Sequence, residues 1–172
     1  MSPEACRMVR AALASGFSGG YMISHDFRDM VRALMVKPDG RIIPLEIAAL
    51  GLVGEVDEFL NALDGPVDEV LREAGDVIWY VVALEELTYI NATRTGQFDS
   101  PYVNAARVSE MVKKHVWHDK VMDHAALGDY LGDILDVVSA ELAVRELTLE
   151  AAQDATMAKL KKRWPNGFGV QP

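Results

Sequence analysis

Four carboxylates carry the first chemical signal in this chain: the pair Glu55-x-x-Glu58 and, further on, the pair Glu73-x-x-Asp76. Carboxylates offer hard oxygen donors, so a cluster of them can hold Mg2+ or Mn2+, and any one of them can take a proton from water. Whether they cluster depends on the elements that carry them. An α-helix turns by about 100° per residue, so acids at i and i+3 share one face. Over residues 44–63, Leu52, Val56, Phe59, Leu60 and Leu63 make an apolar stripe, with Glu55 at its edge and Glu58 a step further round. Over residues 67–89, Val70, Ala74, Val77, Ile78, Val81 and Leu84 make a second stripe. Glu73 and Asp76 stand at the same two offsets from it.

The connection between these helices, Asp64-Gly65-Pro66, is short, so they must be antiparallel neighbours. In an antiparallel pair with facing stripes, equal offsets fall on the same side of the seam. All four carboxylates are therefore expected along one edge. No Lys or Arg follows any of them at i+4 to form the usual same-helix pair. Clustered anions repel unless a cation is near. By geometry alone, Glu55, Glu58, Glu73 and Asp76 are either the ligands of a metal ion or the solvated acidic edge of a surface helix pair.

The remaining chain frames this hairpin. Residues 1–24 end in a Gly-rich stretch and read as a flexible lead-in. Residues 25–35 have helical periodicity, and Lys37-Pro38-Asp39-Gly40 is a turn. Residues 91–101 read as a polar linker. Three further helices are expected near 102–117, 123–146 and 148–163, with no alternating strand pattern. The predicted fold is all-α. A faint repeat runs through it: Gly75-Asp76-Val77-Ile78 and Gly132-Asp133-Ile134-Leu135 sit at the same stage of two long helices.

Bulk properties narrow the function classes. The chain has 172 residues, half of them hydrophobic, and a formal net charge of −9. That charge argues against nucleic acid as a partner, but an acidic protein can bind phosphates through bridging metal ions. A single cysteine, Cys6, rules out an internal disulfide and a Cys-based zinc site. The longest apolar run, residues 77–84, is far too short for a membrane span. No membrane partner is expected, and the expected location is the cytoplasm.

The two acidic pairs, with Val77-x-Trp79-Tyr80 after them and Leu50-Gly51-Leu52-Val53-Gly54 before, resemble the signature of the MazG-like nucleotide pyrophosphohydrolases. The tail Lys159-Leu160-x-x-Arg163-Trp164-Pro165-x-Gly167-Phe168 is similar to the ending of many members. The resemblance spans roughly residues 27–168. It implies a MazG-like helical bundle forming one domain over 25–168. The bundle would be a degenerate tandem, with an active helix pair at 44–90 and a degenerate pair at 102–163. It implies a Mg2+-dependent enzyme, with Mn2+ able to substitute, that converts a nucleoside or deoxynucleoside triphosphate to the monophosphate and pyrophosphate, with Glu55, Glu58, Glu73 and Asp76 as metal ligands and Glu55 or Glu58 as the base that takes the proton of water. It also implies association as a homodimer, or an intrachain pseudo-dimer in its place.

Departures from the pattern are visible. Thr156 stands where members commonly carry Asn, three residues before the tail lysine. In the second helix pair Asn104, Arg107 and Tyr130 stand where carboxylates are expected, and only Asp133 survives. These losses give weight to an alternative: a non-catalytic module that binds nucleotides or a protein partner.

Other residues are candidates for substrate binding. Lys113, Lys114, Lys159 and Arg163 could grip phosphates, or could be solvated helix ends. Trp79 and Tyr80 could stack on a base, or could belong to the core. His115 and His118 flank Trp117 and are expected near substrate rather than on zinc, since no second ligand pair accompanies them. Asp57 points away from Glu55 and is expected to face solvent.

Overall fold

The computed structural model describes residues 21–37, 39–97 and 99–164. Residues 1–20 of the expected lead-in, Pro38 of the turn, Phe98 and the tail from residue 165 onward lie outside the described residues. The described residues form helices α1 (His25–Met35), α2 (Leu45–Ala62), α3 (Val67–Thr88), α4 (Pro101–His118), α5 (His124–Val144) and α6 (Leu149–Arg163). The fold is all-α; one isolated antiparallel bridge, Val36 to Ile42, closes the turn after α1, with Gly40 at φ 79°. No helix of the described residues is long and apolar enough to cross a membrane.

Local sequence sets the helix starts. Ser24, Ser100, Asp123 and Thr148 each accept a hydrogen bond from a backbone N–H in the first turn of the following helix. Pro44 and Pro66 stand at the N-caps of α2 and α3, where a missing N–H has no consequence for the helix. Asp64-Gly65-Pro66 then turns the chain back.

Helices α2 and α3 run antiparallel. The ring of Tyr80 lies over the bare backbone of Gly51, while Glu73 comes beside Glu55 and Glu58, so numbers rise on one helix as they fall on the other. Helices α4 and α5 repeat this register. Asn104 meets Asp133 and Arg107 meets Tyr130. Helix α2 packs on α4, α3 packs on α5, and the shared core includes Leu52, Val56, Phe59, Ile78, Val81, Val108, Leu131, Ile134 and Leu135. Residues 102–163 thus fold back on residues 44–90 rather than extending from them.

Each hairpin also receives a strap from the chain that follows the other. After α3, the backbone of Asn91 and Thr93 lies against Gly128 and Gly132 of α5, with Thr93 N–H donating to the Gly128 carbonyl at 2.9 Å. After α5, helix α6 lays Ala152 and Thr156 against Gly75 of α3. A Cβ on Gly75 would collide with Thr156 Oγ1 and stand 2.5 Å from the Ala152 carbonyl oxygen. Glycine is required at these crossings because backbone approaches backbone. The two Gly-Asp steps of the sequence repeat are therefore the two places where a strap crosses.

Residues 21–24, the end of the expected lead-in, are tied down. The Tyr21 hydroxyl donates to the Gly132 carbonyl at 2.6 Å, and Gln153 of α6 bonds both Ser24 N and Met22 O. Helix α1 is fixed to α3 by Arg28–Glu85 at 2.8 Å and Arg32–Glu86 at 2.8 Å.

Candidate functional site

Glu55, Glu58 and Glu73 converge on the α2–α3 seam. Each offers one carboxylate oxygen such that the three oxygens lie within 4.8 Å of one another. Glu73 is buried, Glu55 partly buried and Glu58 exposed, so the cluster opens toward solvent on the Glu58 side. Burial first, then the charges of Asp76, Glu58 and Glu73, push the Glu55 carboxyl up to about 7. Glu73 is raised as well, chiefly by burial, with Arg72 pulling the other way. Its oxygen is 2.7 Å from Arg72 Nη2.

Asp76, the fourth expected ligand, stands next to the three but is engaged elsewhere. Lys159 of α6 reaches it with Nζ, 2.6 Å from Oδ1, and contacts Oδ2 too. Cations for this cluster thus come from a neighbouring residue, Arg72, and from another helix, Lys159. The absence of basic residues at i+4 did not foretell either.

The spacing of the three oxygens suits a cation by size, although Glu73 also pairs with Arg72. Opposite ligands across Mg2+ are about 4.2 Å apart, given Mg–O distances of 2.0–2.1 Å. A spacing of up to 4.8 Å needs only a small inward shift of flexible glutamate side chains. Asp76 joins such a set only if Lys159 lets it go.

The other expected residues divide. Tyr80 borders the cluster: burial, then the charges of Glu55, Asp76 and Glu58, raise its phenol. Trp79 and Tyr80 pack edge to face, 4.8 Å between ring centres, and both rest on the core as partly buried side chains. Lys159 is at the cluster, on Asp76. Lys113 and Lys114 are not paired into it; both face Glu110 on the exposed side of α4. Arg163 ends α6 with its guanidinium 5.9 Å from the Trp164 ring centre. His115 Nδ1 is 2.9 Å from the Lys120 carbonyl oxygen, in the loop after α4. Asp57 is exposed and accepts from Asn61 at 3.3 Å.

The equivalent place on the α4–α5 seam is filled differently. Asp133 is buried and held by Thr95 of the strap and by Asn104 Nδ2 at 3.2 Å. Arg107 donates to Asn104 Oδ1 at 3.1 Å and lies 5.5 Å from the Tyr130 ring centre. Asp136, one turn on, is buried beside Arg94 at 3.9 Å and accepts from Gly96 N–H at 3.2 Å. Thr95, Arg94 and Asp136 escape a reading of the sequence that treats residues 91–101 as a linker. The signal that could have found them is the pair Gly128 and Gly132, spaced one helical turn apart on α5.

No family model, curated protein or solved structure matches this chain.

Proposed function

We propose that this protein is a divalent-metal-dependent nucleoside triphosphate pyrophosphohydrolase, built as a MazG-like bundle in which one helix pair is active and the other has lost its metal ligands. The observation that carries the reading is the convergence of Glu55, Glu58 and Glu73 within 4.8 Å, beside Asp76. The bound ion, Mg2+ or Mn2+, would neutralise triphosphate charge and supply an activated water. Glu73, buried, would anchor the ion, and Glu58 would complete its ligand set from the solvent side. Glu55, with its carboxyl near 7, suits a group that accepts a proton at neutral pH. Lys159, on release from Asp76, stands where it can take up a phosphate charge instead. The reciprocal straps and the shared α2–α4 and α3–α5 packing support an intrachain pseudo-dimer.

A second reading, a non-catalytic module derived from such a bundle, is favoured by one observation: Lys159 already balances Asp76. Incubating the protein with each NTP and dNTP plus Mg2+ separates the two. The enzyme yields monophosphate and pyrophosphate in equal amounts from at least one of them, and excess chelator stops it. A protein that binds nucleotides but leaves all of them intact is the module.

A further inference from the structure

On the face of the α4–α5 hairpin, the chain forms a cleft of about 580 Å3 whose lining includes Arg107, Lys114, Lys120, Tyr102 and Tyr130. That size is typical of small-molecule sites, which run from about 300 to 1,000 Å3. The cleft contains the position where the second helix pair carries Arg107 and Tyr130 in place of carboxylates. Its lining holds three cations, Arg107, Lys114 and Lys120, against two acids, Glu110 and Asp123. Of the two acids in its wall, Glu110 is shared between Lys113 and Lys114, and Asp123 caps α5 by accepting from Ala126 N–H at 3.1 Å. A cationic cleft on a chain of net charge −9 selects for an anion that the rest of the surface repels.

The key cation is also held in place. Asp133, fixed by Thr95, orients Asn104; Asn104 Oδ1 receives Arg107 Nη1; the Tyr130 ring supports the guanidinium from one side. Arg107 Nη1 also meets the exposed Asp99 at 3.5 Å, and the side chain still leaves 47% of its surface to solvent, so its outer edge can meet a ligand. Fixed guanidinium groups bind phosphate in a fork at little entropic cost. Tyr102 and Tyr130 add aromatic faces, and Met111 and Val121 add apolar wall. A planar ring and a phosphate on one molecule match this lining.

We propose that this cleft is a second nucleotide site, which binds a nucleoside phosphate directly, with no metal. The first site needs a cation to accept phosphate because its groups are anions. Here a side-chain cation stands in the carboxylate's place. The site therefore works where the first cannot, in the absence of divalent ions, and its occupancy does not depend on whether the first site hydrolyses anything. A triphosphate and a monophosphate product share the recognised chemistry.

The experiment uses the full chain in excess EDTA at fixed salt. dTTP, dATP, dTMP, dAMP and pyrophosphate are titrated by calorimetry, with thermal melts verifying that each variant is folded. At least one nucleotide binds saturably to the wild type, more tightly than pyrophosphate does. Arg107→Glu weakens it by about tenfold or more, since a charge-assisted hydrogen bond is replaced by repulsion. Lys120→Glu, on the loop after α4 and outside any helix, weakens it in the same direction. Glu58→Gln leaves it unchanged, which excludes the acidic seam as the binding place. Comparing the triphosphates with the monophosphates identifies which form the cleft takes. The proposal is overturned by absence of saturable nucleotide binding in EDTA, by binding that survives both charge reversals in folded protein, or by pyrophosphate binding as tightly as any nucleotide.

Discussion

Lys159 Nζ lies 2.6 Å from Asp76 Oδ1, across the interface between the last helix and the helix that carries half of the acidic seam. The pair is partly buried, so it is screened less than a surface ion pair. It also makes α6 part of the site, because the residue one turn before Lys159, Thr156, is the one pressed on Gly75.

Removing that lysine tests its part in the cluster. Lys159→Met leaves Asp76 uncompensated beside Glu55 and Glu73. The metal-free protein should lose roughly 1–2 kcal/mol, or a Tm drop of roughly 2–8 °C. Added Mg2+ should then raise Tm by more than it does in the wild type, since a competitor for Asp76 has gone. Melts with Mg2+ and with chelator read both effects. Equal Mg2+-induced shifts in the two proteins would show that Lys159 does not oppose the ion.

Glu55 predicts a pH dependence of the metal-free fold. Its carboxyl is raised from 4.5 to about 7 in the folded protein. The folded state therefore binds this proton more tightly than the unfolded state does. The resulting stability is fully present below about 4.5 and is lost as pH rises through about 7. Glu73, raised too, has the same sign. In chelator, Glu55→Gln should remove part of the decline between about pH 5 and about pH 8 and melt higher than the wild type at the upper end. Mg2+ should flatten the wild-type curve, because a bound cation favours the carboxylate. Parallel curves for wild type and variant would refute the raised carboxyl.

The strap crossings predict opposite outcomes for three glycines on helices. Gly132→Ala would drive a Cβ into the Thr93 backbone, and Gly75→Ala into Thr156 and the Ala152 carbonyl. Each should lose about 1–3 kcal/mol or more by overpacking, a Tm drop of roughly 2–12 °C. Gly54→Ala meets nothing within 4 Å and should gain about 0.5–1 kcal/mol from helix propensity. Thermal melts of the three decide it. A stable Gly132→Ala protein would mean that the 91–97 segment does not lie on α5.

The helices and the three-glutamate convergence were readable in the sequence because both follow from local periodicity and a short turn. The stripe containing Leu52, Val56 and Phe59 is buried, as is the one containing Val77, Ile78 and Val81. The engagement of Asp76 was not readable, since its cation comes from a helix far away in sequence and no same-helix rule reaches it. Likewise Thr95 and Arg94 look like ordinary linker residues until the chain is seen lying on Gly128 and Gly132. Glu85 and Asp136 escape helical periodicity for a related reason. Each is a buried acid whose partners, Arg28 and Arg94, belong to other elements. Periodicity finds what one helix or one hairpin determines; it does not find what a crossing determines.

If Glu55, Glu58, Glu73 and Asp76, rather than acidity in general, hold the ion for the proposed hydrolysis, kcat/KM with Mg2+ across eight isosteric variants, each verified as folded, separates them from their acidic neighbours. Glu55→Gln, Glu58→Gln, Glu73→Gln and Asp76→Asn should each lose about a hundredfold or more, because an anionic ligand is removed with its shape retained. Asp57→Asn, Asp68→Asn and Glu69→Gln, exposed and off the seam, should stay within about threefold of the wild type. Asp133→Asn, whose carboxylate is taken up by Thr95 and Asn104 on the other hairpin, should keep most activity if still folded. An equal loss in all eight, or none in the first four, would rule out a metal site built from these four carboxylates.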